Sequence, residues 1–188
     1  MLILAAGFAL WCAGHFLPSA LPGVRERLID AIGEGPYKGL FSLDAALAIV
    51  LMVIGYQQAA FIPVYDPPVW GVHLNNLMML VAVWLFAVGG AKAWIATKLR
   101  HPMLTGVAVW GLSHLLVNGD SASILLFGGM LIWSLGMMWM INRRSAGWAP
   151  PRWGGWGAEA KAALLSLGVF AVIVFAHGWL FGVSPFPM

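Results

Sequence analysis

Three histidines lie inside apolar stretches of the chain, where an ionisable side chain is costly. His15, His114 and His177 sit in segments that contain no lysine or arginine. An ionisable group within a bilayer is a candidate functional residue, and neutral imidazole is a good ligand for iron, zinc and copper. The histidines are therefore the first candidates for a metal or cofactor site. They could equally hydrogen-bond a neighbouring helix and serve only packing, and the sequence leaves that alternative open.

The surroundings of these histidines favour some metal chemistries over others. No H-x-x-E or E-x-x-H pattern occurs, which disfavours a hydrolytic zinc site or a di-iron carboxylate site. Two histidines from different helices, with no carboxylate nearby, are typical of the axial ligands of a b-type haem. Gly111 lies three residues before His114, and we expect it to leave a gap beside the imidazole where a flat ring could lie. Cys12 is the single cysteine, which excludes an intrachain disulfide, and its role stays open.

The composition indicates that these residues belong to a membrane protein. Among 188 residues only ten are Lys or Arg and seven are Asp or Glu, so charged residues make up 9%, against about 25% in soluble domains. Hydrophobic residues make up 61%, and the mean hydropathy is +0.86. This excludes a soluble globular protein, a disordered chain and a nucleic-acid binder. The length fits a single membrane domain over residues 1–188.

Six apolar stretches reach or approach the roughly 20 residues that a bilayer-spanning helix needs. They are residues 1–17, 43–62, 73–91, 103–117, 122–141 and 162–181. The first and fourth are short. None alternates with period two, so the sequence predicts an all-α polytopic helix bundle with about six transmembrane helices. The first stretch lacks a basic leader and a good cleavage site, and we expect it to be retained rather than removed as a signal peptide.

The basic residues fall in alternate connections between these stretches. They are Arg25, Arg27 and Lys38, then Lys92, Lys98 and Arg100, and finally Arg143, Arg144, Arg152 and Lys161. All ten therefore lie on one side of a six-span bundle. The positive-inside rule places that side in the cytoplasm and both termini in the periplasm.

Two of the connections have a structure of their own. Residues 21–32 carry apolar side chains at helical spacing, which predicts a short amphipathic helix in the membrane interface. Residues 118–120, Asn-Gly-Asp, predict a tight turn that makes the fourth and fifth spans antiparallel neighbours. Pro102 is tolerated in the first turn of a helix, so His101 is expected just outside the fourth span, at the interface.

Two stretches of the sequence resemble the NnrU family of integral membrane proteins. The first is G-H-F-L-P-S at residues 14–19, followed by R-E-R-L at 25–28 and G-E-G-P-Y-K-G-L-F-S-L at 33–43. The second is R-H-P-M-L-T-G-V-A-V-W-G-L-S-H-L-L-V-N-G-D at 100–120. The second stretch runs on through Leu126-Phe127-Gly128, and residues 14–43 and 100–128 together cover about a third of the chain. The six-span pattern extends the likeness to most of it.

The resemblance implies a bacterial inner-membrane, multi-pass protein linked to denitrification and nitric oxide. The family is also similar to plant zeta-carotene isomerase, a membrane enzyme whose haem b is held by two histidines, and these match His15 and His114. The resemblance thus implies a haem b cofactor and a redox-dependent isomerase, acting on an apolar polyene or another small hydrophobic substrate, or a nitric-oxide-related redox protein. The isomerase has a cysteine three residues before its second histidine, where this chain has Gly111, so a ligand switch on that thiol does not carry over.

Several alternatives stay open beside this interpretation. Upright helices would place His15 and His114 about 10 Å apart in depth, and His177 is closer to His114 in depth, although the family match favours His15. Arg100, with Arg25 and Lys38, could hold the haem propionates, but membrane orientation explains these residues equally well.

Other functional classes are compatible with parts of the sequence. The R-H-P motif also resembles one in membrane isoprenylcysteine methyltransferases and sterol reductases. Those enzymes need a later cluster of Arg and Glu, whereas here no Glu follows Arg143 and Arg144 until Glu159. The competing class is a non-enzymatic membrane assembly or regulatory factor whose histidines are structural.

Overall fold

The computed structural model describes residues 1–145 and 147–186, and this part of the chain folds into seven helices. They are α1 (Leu2–Ala20), α2 (Pro22–Ile32), α3 (Glu34–Gln57), α4 (Gly71–Ala91), α5 (Pro102–Leu115), α6 (Ser121–Arg144) and α7 (Trp156–Phe181). A 3-10 turn at Trp94–Thr97 precedes α5. Within the described residues there is no strand, only one isolated antiparallel bridge between Pro63 and Asp120. The all-α prediction is confirmed.

Five helices of the described residues are long and apolar enough to cross a membrane: α1, α3, α4, α6 and α7. The predicted fourth span, residues 103–117, corresponds to α5, which has only 14 residues. That gives a length of about 21 Å, against a hydrocarbon core of about 30 Å. Most of its side chains are buried or half-buried by protein, with Met103 and Leu112 among the exposed ones. Enclosure by its neighbours allows a short helix to sit at membrane depth.

The bundle has two chemically different ends. At the end that carries the basic residues, here called the basic end, Arg144 Nη1 donates to the carbonyls of Pro18 (3.0 Å) and Ser19 (2.9 Å) and so satisfies the last turn of α1. At the opposite end, Gln57 Nε2 donates to the carbonyl of Leu180 (2.6 Å). The start of α1 and the end of α7 both lie at this opposite end. Which side of the membrane it faces stays a prediction.

Small residues let α1 and α3 approach closely as an antiparallel pair. A Cβ on Gly7 would lie 2.8 Å from the backbone nitrogen of Met52, and one on Gly55 would collide with the backbone of Leu4. Glycine at such positions allows backbones to meet where lipid supplies no hydrophobic driving force. Helices α1 and α3 therefore pack closely along their length.

The two predicted connections form as the sequence indicated. α2 is a separate helix, and Gly33, with φ of +88°, breaks the chain between α2 and α3. Asp120 caps α6, because its Oδ1 accepts from the backbone nitrogens of Ala122 (3.0 Å) and Ser123 (3.1 Å). The turn before it brings α5 and α6 side by side. The helical nature of α2 and the α5–α6 pairing are confirmed.

The surface of the bundle is strongly apolar. On α7 the exposed fraction is 88% for Phe175 and 87% for Trp179, and on α6 it is 72% for Ile132. A water-exposed protein rarely presents such a surface. The exposed apolar side chains are consistent with contact with a lipid bilayer and a multi-pass membrane protein.

Candidate functional site

Three of the histidines in helices, His15, His114 and His177, share one hydrogen-bonding arrangement. In each, Nδ1 lies at hydrogen-bond distance from a backbone carbonyl: His15 from Trp11 (2.9 Å), His114 from Trp110 (2.9 Å) and His177 from Val183 (2.8 Å). A carbonyl only accepts, so Nδ1 carries the proton and a neutral ring keeps its lone pair on Nε2. Metal-binding histidines are usually oriented in this way, by a bond from the nitrogen that does not bind the metal.

His15 lies in an aromatic cluster near the basic end of α1. Its ring stacks on Trp11, with 3.9 Å between centroids, and meets the edges of Phe41 (5.1 Å) and Trp133 (5.3 Å). Asp44 Oδ2, beside Gly14, is buried without a hydrogen-bond partner among the described residues. The imidazole therefore sits at the junction of α1, α3 and α6, walled mostly by aromatic rings.

His114 lies one residue before the end of α5, toward the opposite end of the bundle. Its ring stacks on Phe127 (4.4 Å) and contacts Trp110 (5.2 Å). Phe127 belongs to a π-helical turn, Ile124–Gly128, inside α6. Such turns widen the helix locally and occur often at functional sites. The widened turn is therefore the part of α6 that forms the aromatic wall against His114.

Gly111 does not leave the open gap that the sequence suggested. A Cβ at this position would lie 2.6 Å from the carbonyl oxygen of Phe127 and 3.3 Å from the Leu131 side chain. The backbone of α6 fills the space, because the glycine lets α5 and α6 pack closely. The expectation of a vacant slot beside His114 on this side is wrong. Gly111 instead fixes the distance between the helix that carries His114 and the helix that carries Phe127.

A small cavity, mostly apolar but with a few polar groups, brings His114 together with His177. The cavity has a volume of about 40 Å³, and its lining includes Asn75 and Met79 of α4. Asn75 is 9% exposed, and its Oδ1 has no hydrogen-bond partner among the described residues. Ser113 Oγ lies 3.3 Å from Met79 Sδ. The space suffices for one water molecule or one ion, and the donors around it are nitrogen, oxygen and sulfur.

The structure places His15 and His114 at different depths. His15 contacts Trp133 and His114 contacts Phe127, and these two rings lie six residues apart on α6. The offset is therefore about 9 Å along that helix, close to the value expected from the sequence. Trp11 and Trp110 both pack against one cluster on α6, which consists of Met130, Trp133 and Met137. The cavity beside His114 is lined by His177 and not by His15.

Arg100 lies at the other end of α5 from His114. Fourteen residues separate the two, which is about 21 Å along a helix. Arg100 Nη2 donates to the carbonyl of Ser145 (2.7 Å), so the structure does not bring it to His114, and its contact with a haem propionate stays a prediction. His101 is the residue before the first residue of α5, as expected, and its Nε2 lies 2.9 Å from Asn142 Oδ1. Lys38 forms an ion pair with Glu34 (2.8 Å).

Sequence reasoning missed Asn75 and Met79 as members of the His114 cavity. The available signal was that Asn75 and Asn76 are adjacent amides within an otherwise apolar span. Intramembrane polar residues usually face the bundle interior or a cavity. That rule could have directed Asn75 inward, but not toward His114 in particular.

His15 and His114 supply the donor type that a haem iron takes from a protein, but they lie at different depths and share no described cavity. A haem iron takes one or two axial ligands from the protein, and two histidines with apolar surroundings are a common pair. In each imidazole the Nδ1 bond leaves Nε2 as the donor atom, and the ring packs against aromatic side chains.

A bundle of apolar helices with imidazoles held between them defines a polytopic membrane protein with a candidate ligand site in its helical interior. The family model described as NnrU protein matches residues 3–185. Because the match extends over nearly the whole chain, the chain belongs to the NnrU family. No curated protein and no solved structure shows significant similarity to it.

Proposed function

We propose that this protein is a membrane haem b protein with a redox role, in which His15 and His114 are the axial ligands of the iron. The observation that carries the proposal is the matched pair of Nδ1 hydrogen bonds to the carbonyls of Trp11 and Trp110. They fix each ring and leave Nε2 as the donor atom. The resemblance of the family to a haem-dependent isomerase supports the same two residues.

In this proposal the chain orients the two imidazoles and keeps water away from them. When bound, the haem supplies a metal centre that carries one electron or acts as a Lewis acid. Trp11 and Phe127 pack face to face against the two imidazoles and prevent ring rotation. The exposed apolar surface gives a hydrophobic substrate a route from the bilayer. Isomerisation of an apolar polyene and a nitric-oxide-linked electron transfer are the two activities that we propose for this site.

The depth offset of about 9 Å makes the identity of the second ligand the sharpest question within the proposal. His177 shares a cavity with His114, whereas His15 does not line it. This observation favours a second candidate, a centre held by His114 and His177. The two candidates share His114 and differ in which of the other two imidazoles the iron needs.

A test of the proposal is the absorption spectrum of the purified protein. The protein is expressed with a haem precursor supplied, solubilised in mild detergent and purified by affinity and size. We expect a Soret band that shifts on reduction with dithionite. His101→Ala is the matched control, because His101 lies outside α5 and contacts Asn142 instead of the aromatic clusters. A wild-type protein without a Soret band would contradict the proposal.

That negative result would favour a non-enzymatic assembly or regulatory factor. The specific observation behind this alternative is His177, whose Nδ1 bond to the Val183 carbonyl ties the end of α7 to the segment that follows it. Histidines that each bond a backbone carbonyl can stabilise helix ends without any ligand.

A further inference from the structure

A second cavity lies far from the clusters around His15 and His114, at the basic end of the bundle. It has a volume of about 300 Å³ and runs between the end of α4 and the start of α5. Its apolar wall includes Phe86 and Met103, Gly90 forms part of its floor, and Arg100 and His101 stand at its polar side. We call it the α4–α5 groove. Its size is at the lower limit of ordinary ligand sites.

The groove exists because two successive glycines end α4. A Cβ on Gly90 would meet nothing within 4 Å, and one on Gly89 would meet only the ring of Pro102, at 3.4 Å. Lys92 then leaves the helix in a left-handed conformation with φ of 60°. Larger side chains at positions 89 and 90 would fill the space that the two glycines leave open.

The groove opens sideways onto the surface that faces the bilayer. Phe86 is 43% exposed and Met103 is 60% exposed, and both belong to helices of the apolar bundle. A water-soluble ligand would have to reach an apolar wall that is directed toward lipid. An acyl chain, in contrast, enters such a groove from the bilayer without leaving an apolar environment.

The polar side of the groove is cationic and is not neutralised. Arg100 uses one N–H for the Ser145 carbonyl (2.7 Å), which leaves four of its five donors. Among the described residues no carboxylate forms a salt bridge with Arg100. Glu159 lies at the same end of the bundle, but its Oε1 already accepts from Trp94 N (2.6 Å) and Trp153 Nε1 (2.8 Å). The free guanidinium donors therefore complement a phosphate.

We propose that the α4–α5 groove binds one anionic glycerophospholipid, with its phosphate on Arg100 and an acyl chain along Gly89 and Gly90. Basic pockets between transmembrane helices are known to recognise anionic head groups. The proposal involves neither His15 nor His114, and it gives Arg100 a role that competes with the predicted contact to a haem propionate.

The test is native mass spectrometry of the detergent-solubilised full chain with phosphatidylglycerol and phosphatidylcholine of identical acyl chains. We expect one tightly retained phosphatidylglycerol per chain and a preference over phosphatidylcholine of about fivefold, the effect of one basic residue near an anionic head group. Arg100→Gln should abolish the preference, and Arg100→Lys should keep most of it. Arg27→Gln, a change of equal charge at an exposed residue of α2, should leave it unchanged.

A second and independent test fills the groove with a larger side chain. Gly90→Leu should release the retained lipid, whereas Gly168→Leu on α7 should not, although a Cβ at either glycine meets nothing within 4 Å. Size-exclusion profiles and melting temperatures identify any variant that fails to fold. Equal retention by the two leucine variants, equal effects of Arg27→Gln and Arg100→Gln, or no preference in the wild type would each overturn the proposal.

Discussion

The imidazole of His114 is held by contacts of two kinds, a hydrogen bond within its own helix and a ring from a neighbouring one. Nδ1 bonds the Trp110 carbonyl at 2.9 Å, and Phe127 stacks on the ring at 4.4 Å. The first contact follows from sequence spacing alone, since residues four apart share a helix face. The second depends on the π-helical turn of α6, which no spacing rule indicates.

Gly111 is the residue whose substitution should disturb this arrangement most directly. In Gly111→Ala the new Cβ would lie 2.6 Å from the Phe127 carbonyl, and backbone cannot yield as a flexible side chain can. We expect a loss of about 1–3 kcal/mol in the free energy of unfolding, as for other overpacked sites. Thermal or denaturant unfolding in detergent measures it.

Gly168→Ala is the control for that substitution. Its Cβ would have nothing within 4 Å, so relief of backbone entropy should leave stability equal or raise it by up to about 1 kcal/mol. Similar melting temperatures for the two alanine variants would show that α5 and α6 are not in close contact at Gly111.

At the scale of helices, α5 is defined by what holds its two ends. Pro102 starts it without needing a donor. At its other end the hydroxyl of Tyr65 lies within hydrogen-bond distance of the Leu115 carbonyl and 2.9 Å from that of Asn118. The segment before α4 therefore stabilises the end of the helix that carries His114.

Tyr65→Phe should weaken that end. Loss of a hydrogen bond to an unpaired helix carbonyl should cost about 0.5–1.5 kcal/mol of unfolding free energy. Burial raises the pKa of Tyr65, with a smaller contribution from the charge of Asp120. A raised pKa means that the stabilisation is complete below the ordinary tyrosine pKa of about 10 and is lost as the pH rises above it.

The measurement is the difference in melting temperature between wild type and Tyr65→Phe as a function of pH. The difference should be constant from neutral pH to about pH 9 and should disappear at higher pH, where the ionised oxygen of Tyr65 can no longer donate. No difference at pH 7, or a difference that does not decline at all on the alkaline side of the ordinary tyrosine pKa of about 10, would mean that the hydroxyl does not support α5.

The helices differ in how far the sequence could predict them. Length and hydropathy were enough for α1, α3, α4, α6 and α7, because a span is a long apolar run. Length and hydropathy overestimated the length of α5, because Leu116 and Val117 are apolar but lie in the turn that follows the helix. Which faces meet could not be predicted, because a helix that is apolar all round has no distinct inner side. The cavity that His114 shares with His177 and Asn75 depends on which helix faces meet, so the sequence could not predict it.

At the scale of the whole molecule, charge divides the bundle into two ends. Arg144 bonds the end of α1 at the basic end, and Gln57 bonds the Leu180 carbonyl at the other. The structure thus places the start of α1 and the end of α7 at the same end of the bundle, and α5 leads from the basic end toward that opposite end despite its short length. The positive-inside rule predicts that the basic end faces the cytoplasm.

A reporter fused to the C-terminus tests this orientation. We expect a fluorescent protein that matures only in the cytoplasm to give no signal there, and alkaline phosphatase, which is active only in the periplasm, to be active. Fusions after Arg144, at the basic end, should show the reverse pattern. Strong fluorescence from the C-terminal fusion would contradict the assignment and remove one crossing from the bundle.

The most direct test of the haem proposal is low-temperature electron paramagnetic resonance of the oxidised protein and three alanine variants. If His15 and His114 are the axial ligands, the wild type shows low-spin iron with two imidazoles, and either His15→Ala or His114→Ala converts it to high-spin iron or loses the haem, because one strong nitrogen donor is removed. His177→Ala keeps the wild-type signal. Loss of the low-spin signal in His177→Ala, with His15→Ala unchanged, would contradict this assignment and move the second ligand to the cavity that His177 shares with His114.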